Sequence, residues 1–324
     1  HHIYACTLAR PAAPRLALLP SRWSLALPPA KTPGRLGLLV SRTIGRHGWL
    51  AAARPMADRH VVQRTALIVG LGNYTHPTTR HSIGQYVLPP LLECVQAHDS
   101  RVRAHLARTV TRLPPEAPRY TLPPPTPIEP FTLSRKAQGW LAHACVLLDS
   151  LPPKGASARR APGFRVDACP YVHMHLVLYI PRLLMNVNGL GVRAVLAQLP
   201  ELGITDTLLV HDELQRTFGQ VAFKAGGSAA GHNGVRSVQD VLRCHGTVRQ
   251  EPDIARVRIG IGRPADGRVS EYVLGPMPPE WRAACEAQVN TDPASTRHAQ
   301  SAAPVLQAVW HHIQQWCLAR VAAT

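Results

Sequence analysis

Four short apolar runs constrain this chain more than anything else in it: residues 66–71 (ALIVGL), 175–180 (HLVLYI), 207–210 (TLLV) and 255–261 (ARVRIGI). Runs of this length, rich in Val, Ile and Leu, mark strands buried on both faces, as in a parallel sheet covered by helices. Between them lie stretches with apolar residues at helical spacing. These are residues 83–95, where Pro89 and Pro90 must fall at a helix start or a kink; 189–199, stopped by Pro200; and 235–242. Residues 221–224 alternate like a further strand. The last stretch, 302–321, puts Val305, Leu306, Val309, Trp310, Ile313, Trp316 and Cys317 on one helical face, as a helix packed on the domain would. The alternation predicts an α/β fold, a single three-layer domain around a mixed, mostly parallel central sheet. Such sheets take their ligands beyond the carboxyl ends of the strands, where the candidate polar residues follow.

That domain is assigned to residues 65–324, and residues 1–64 to a basic extension. No acidic residue precedes Asp58, while Arg10, Arg15, Arg22, Lys31, Arg35, Arg42, Arg46 and Arg54 recur among Ala, Leu, Ser and Pro. The composition suits a mitochondrial transit peptide. The alternative is an upstream stretch without function, since Met56 can itself be a start, and the protein would then be cytoplasmic. From about 98 to 170 the chain turns proline-rich and basic and loses sustained periodicity except around 140–148, which reads as a largely unstructured insertion.

Lysine and arginine number 36 against 19 acidic residues, a formal charge of +17, which favours a polyanionic partner even where part of the excess sits in tails. No run approaches the roughly 20 apolar residues of a membrane helix. The seven cysteines are scattered singly, without a CxxC pair, as in a reducing compartment. His173 and His175 would share one face of a strand, as metal ligands can, but no neighbouring set completes them, and neither a metal nor a cofactor is predicted.

The chemistry sits in five segments. Gly70-Leu71-Gly72-Asn73 follows the first strand but lacks the third glycine of a dinucleotide fingerprint. Thr79-Arg80-His81-Ser82 puts a histidine at a turn before a helix, and Met185-Asn186 sets an amide between strand and helix. His211-Asp212-Glu213 places carboxylates where a buried strand emerges; an acid there can hold one imidazole nitrogen and leave the other free to take a proton from water. Finally, residues 226–234 (GGSAAGHNG) form a glycine-rich loop opening a helix, whose amides and Asn233 can hold an anion or a developing oxyanion.

In this order and spacing, followed by residues 256–264 (RVRIGIGRP) and Tyr272-Val273-Leu274-Gly275, these segments resemble bacterial-type peptidyl-tRNA hydrolase. The resemblance implies an α/β esterase without a metal, acting on peptidyl-tRNA as a monomer with no obligate protein partner. It matches His81 to the catalytic histidine and Asp212 to the acid that orients it. Asn73, Met185, Asn186 and Asn233 match cleft-lining residues, Lys224 and Arg258 match residues that grip tRNA phosphates, and Arg236 is added to these. Two departures stand out. Residues 73–78 are shorter than the family's loop before the Thr-Arg-His triplet, and Ser228-Ala229-Ala230 replaces a more glycine-rich run. The alternative they leave open is a non-catalytic tRNA-binding or ribosome-associated relative.

Overall fold

The structure, a computed structural model, describes residues 59–60, 62–110, 120–149, 171–243, 253–287 and 305–322. The strands are β1 (Arg59–His60), β2 (Val62–Gly70), β3 (Tyr120–Thr121), β4 (Glu129–Ser134), β5 (Gly139–Asp149), β6 (Tyr171–Pro181), β7 (Thr207–Glu213), β8 (Val221–Lys224) and β9 (Ala255–Gly260). The helices are α1 (Ile83–Tyr86), α2 (Leu88–Val110), α3 (Asn188–Leu196), α4 (Asn233–Arg243), α5 (Val269–Leu274), α6 (Pro279–Glu286) and α7 (Val305–Ala322).

Seven strands form one sheet in the order β4-β5-β6-β2-β7-β9-β8. Its centre, β6-β2-β7-β9, is parallel, and the pairs at both edges are antiparallel. β2 shows why the layers number three. Ala66 and Ile68 face a core that includes Leu88, Leu91 and the apolar face of α7, whereas Leu67 and Val69 face Val192 of α3 and Val235 and Val238 of α4. A strand buried on both sides cannot alternate apolar with polar residues, hence the unbroken run. All seven residues assigned to one face of the last helix are buried.

The reading of 98–170 as largely unstructured is corrected by the described residues. α2 continues to Val110, and β5 pairs with β6 along its whole length. Pro89 and Pro90 lie in the first turn of α2, where a missing N–H is harmless. Asp99 ties this helix to the sheet, accepting from Leu147 N–H at 2.8 Å and from Arg103 Nε at 2.6 Å. β5 lies next to an edge and its neighbour β4 has no buried residue, so among the prolines and basic residues their apolar signal is thin. Of the extension assigned to residues 1–64, residues 59–60 and 62–64 lie in β1 and β2, and β2 pairs with β6 from Val62 onward; the residues before Arg59, and residues 111–119 and 150–170, lie outside the described residues.

Candidate active site

Three loops leave the carboxyl ends of adjacent strands β6, β2 and β7 and are stitched to one another. The Asn73 amide N–H donates to Ser82 Oγ at 3.0 Å, and its side-chain Oδ1 accepts from Met185 N–H at 2.7 Å. Asn188, fully buried, accepts from Gly72 N–H at 3.2 Å and donates to Leu184 O at 2.7 Å. The β2 and β6 loops therefore move as one piece.

The third strand is reached through a glycine. A Cβ on Gly84 would stand 2.1 Å from Val210 O of β7, so only glycine lets α1 lie directly on that strand. This approach brings the short 3-10 turn Arg80–Ser82, with His81, over Asp212 near the end of β7. His81 Nδ1 lies 2.8 Å from Asp212 Oδ1. A carboxylate only accepts, so His81 donates from Nδ1, and in the neutral ring the lone pair then sits on Nε2. His232 Nε2 reaches the same oxygen at 2.9 Å. Its Nδ1 accepts from the N–H groups of Gly234 and Val235 at 3.1 and 3.2 Å, which fixes the proton on Nε2 and caps the start of α4.

Asp212 is 3% exposed. Burial alone would raise its pKa, but its interactions with His232, then with His81, outweigh it and hold the carboxyl well below the usual range. His211, wholly enclosed, is driven well below the ordinary histidine pKa by burial and then by its neighbour His232. Its Nδ1 donates to Asp212 O at 2.6 Å and it stays neutral. Around this group lies a cleft of about 390 Å³ lined by His81, Asp212, Lys224, Asn233, Arg258 and Arg263, among others.

The family model for peptidyl-tRNA hydrolase matches residues 153–313. A probable peptidyl-tRNA hydrolase of Mus musculus is 32% identical over 237 residues, which covers 72% of this chain and 84% of that protein. The chain belongs to the peptidyl-tRNA hydrolase family. It spans about half the length of several curated bacterial relatives: the peptidyl-tRNA hydrolase of Pelobacter propionicus is 41% identical over 104 residues, 50% of its length. The crystal structure of peptidyl-tRNA hydrolase from Acinetobacter baumannii aligns over 78% of this chain and 92% of its own, at 22% identity and a TM-score of 0.44.

Within this family member the nine residues singled out from the sequence fall into three groups. His81, Asp212, Asn233, Lys224 and Arg258 line one cleft. Asn73 and Met185 are buried beside it, and Met185 Sδ packs where a side chain on Gly234 would be. Asn186 and Arg236 are exposed and stand off the cleft lining; Arg236 instead borders a separate pocket with Ser228, Gly231 and Gln239. Arg258 is held by Glu213, its Nη1 2.9 Å from Oε2.

Sequence reasoning missed two residues of consequence. Arg256 is buried, and its guanidinium donates to the carbonyls of Gly226, Gly227 and Ser228, so it moulds the glycine-rich loop from beneath. An arginine two residues before Arg258 in a buried strand was the available signal. Asn188 is the other, with Asn186 an equal candidate by sequence in the same Asn-Val-Asn triplet. His173 and His175 border a different cavity of about 500 Å³, reached from the opposite end of β2. His175 bonds His143 at 3.1 Å, with no third ligand in reach among the described residues.

Proposed function

We propose that this protein hydrolyses the ester joining a peptide, or an N-blocked amino acid, to the 3′-terminal ribose of tRNA, and so recycles tRNA from peptidyl-tRNA. The observation that carries the reading is the bond from His81 Nδ1 to Asp212, which puts the neutral ring's lone pair on Nε2 of a residue that lines the cleft. Nε2 takes a proton from water as the water oxygen attacks the ester carbonyl; the tetrahedral intermediate then expels the ribose oxygen, which receives the proton back. Asp212 keeps the ring in the tautomer this needs and stabilises the imidazolium that forms. Asn233, at the head of α4, supplies a donor for the developing oxyanion. Asn73 and Met185 shape the adjoining wall, and Asn186, exposed one residue on, is available to the peptide.

Lys224, Arg258 and, farther out, Arg236 are assigned to tRNA phosphates. Their support is charge and position, since cations beside a cleft give backbone affinity without reading sequence. The residues before Asp58 are assigned to mitochondrial targeting on their acid-free, arginine-rich composition.

The deciding experiment is release of N-blocked amino acid from charged tRNA by the wild-type protein. Turnover supports the hydrolase. Salt-sensitive tRNA binding without any release would instead establish a binding-only relative. Amino-terminal sequencing of the protein isolated from mitochondria tests the targeting assignment, and light scattering tests the expected monomer.

A further inference from the structure

Arg80, the residue beside His81, is gripped on several sides. Its backbone N–H donates to Gly275 O at 3.0 Å and its Nη1 to Tyr272 O, also at 3.0 Å. Its guanidinium carbon lies 4.4 Å from the centre of the Tyr272 ring and 5.6 Å from that of Trp281. A Cβ on Gly275 would stand 2.5 Å from Arg80 Nη1, so the receiving backbone is shaped around this side chain. The residues before it are fastened to the same segment: Thr79 bridges to Pro276, and Thr78 O accepts from Met277 N–H at 2.8 Å.

The far side of the grip is itself anchored. Trp281 stacks on Phe218 with centroids 4.1 Å apart and planes 3° from parallel, and Tyr272 Oη donates to Ile261 O just past the end of β9. Residues Val269, Ser270 and Val273 of α5 line the cleft that holds His81. Arg80 thus joins the turn carrying the imidazole to the wall opposite it. A guanidinium stacked on aromatic faces and bonded to a carbonyl is a rigid link; an exposed arginine would sample many rotamers.

From this geometry we infer that Arg80 is the positioning residue for His81: clamped by α5 and α6, it fixes the turn so that Nδ1, and not Nε2, faces Asp212. The inference rests on the hydrolase reading for its kinetic consequence but not for its structural one. The clamp acts through the backbone of residues 78–81 and touches no reacting atom. Misplacing a catalytic group by about 1 Å costs on the order of 100-fold in rate, so loss of the clamp is a kcat effect.

The test uses the full chain with Arg80→Ala, Arg80→Lys and Trp281→Leu, the last removing one stacking face while keeping the arginine. Turnover of N-blocked aminoacyl-tRNA is measured with the His81 tautomer, read from two-bond proton–nitrogen correlations of 15N-histidine-labelled protein. Expected are a loss of roughly 10–100-fold in kcat for Arg80→Ala with KM within about threefold, partial rescue by lysine, and an intermediate loss for Trp281→Leu. In parallel, His81 shifts from the Nδ1–H form towards a mixture. A purely structural arginine would lower the melting temperature and leave kcat and tautomer unchanged below it, which overturns the inference; so does a kcat loss with the tautomer intact. If the wild type itself releases nothing, the hydrolase reading fails, and the tautomer comparison still decides the role of Arg80.

Discussion

His81 and His232 converge on one oxygen of Asp212, at 2.8 and 2.9 Å, with ring centres 4.9 Å apart. The two imidazoles are held in opposite tautomers. His232 has both nitrogens engaged, Nδ1 by two backbone N–H groups and Nε2 by the carboxylate. His81 has one nitrogen left over. On the proposed mechanism the division of labour follows from that asymmetry, with one ring as scaffold and the other as base.

Replacing His81 by alanine is therefore expected to lower kcat by roughly 10²–10⁴-fold, the usual contribution of a general base, and to leave tRNA affinity within about threefold. Single-turnover kinetics and filter binding on the same preparation read both. Retained turnover would reassign the base.

Asp212 sets a pH dependence of stability. Its folded pKa lies below the ordinary aspartate value of about 3.9, so below that pH the unfolded chain takes up the proton first. The stabilisation is fully present above about pH 4 to 5 and is lost as pH falls towards the folded value. Asp212→Asn should flatten the acid limb of urea midpoints measured from pH 6 to pH 2. An equally steep limb in the variant would show that other carboxylates govern it.

Lys224 and Arg258 both line the cleft, and Arg258 is additionally oriented by Glu213. Alanine at either position should weaken tRNA binding across different tRNAs alike and reduce the slope of log affinity against log salt by about 1. Arg236, off the cleft, serves as comparison, with a smaller effect expected. An unchanged slope at Lys224 and Arg258 removes them from phosphate contact.

Gly84→Ala tests the contact that brings His81 to β7. The new methyl would meet Val210 O at 2.1 Å and Leu71 O at 2.8 Å, both backbone atoms unable to swing aside. A destabilisation of about 1–3 kcal/mol is expected by denaturant titration, with a loss of turnover as the turn shifts from Asp212. Gly203→Ala, whose nearest neighbour would be Asp206 Oδ2 at 3.7 Å, is the control, expected within about 0.5 kcal/mol.

What was legible in the sequence was local. Burial on both faces writes an unbroken apolar run, so β2, β6, β7 and β9 could be found. Burial on one face of a helix writes a period, so the inward residues of α7 could be named. The order of the polar segments after those strands identified the family resemblance and the residues worth watching. Only faintly legible were elements whose local signal is diluted, such as β5, where the sequence showed periodicity around 140–148 but no assignable strand. β5 is only partly buried and sits within a proline-rich stretch, and it is a strand because β6 pairs with it.

Which of the singled-out residues meet was decided by the tertiary structure alone. His81 and Asp212 are 131 positions apart, and what joins them is a parallel register between β2 and β7 plus the backbone approach at Gly84. The packing around that sheet leaves Asn186 and Arg236 outside the cleft, and the place of β9 beside β7 sets Arg256 under the glycine-rich loop. Propensity and periodicity are properties of neighbouring residues, whereas these contacts depend on loop closure and packing between distant segments, which no short window of sequence contains.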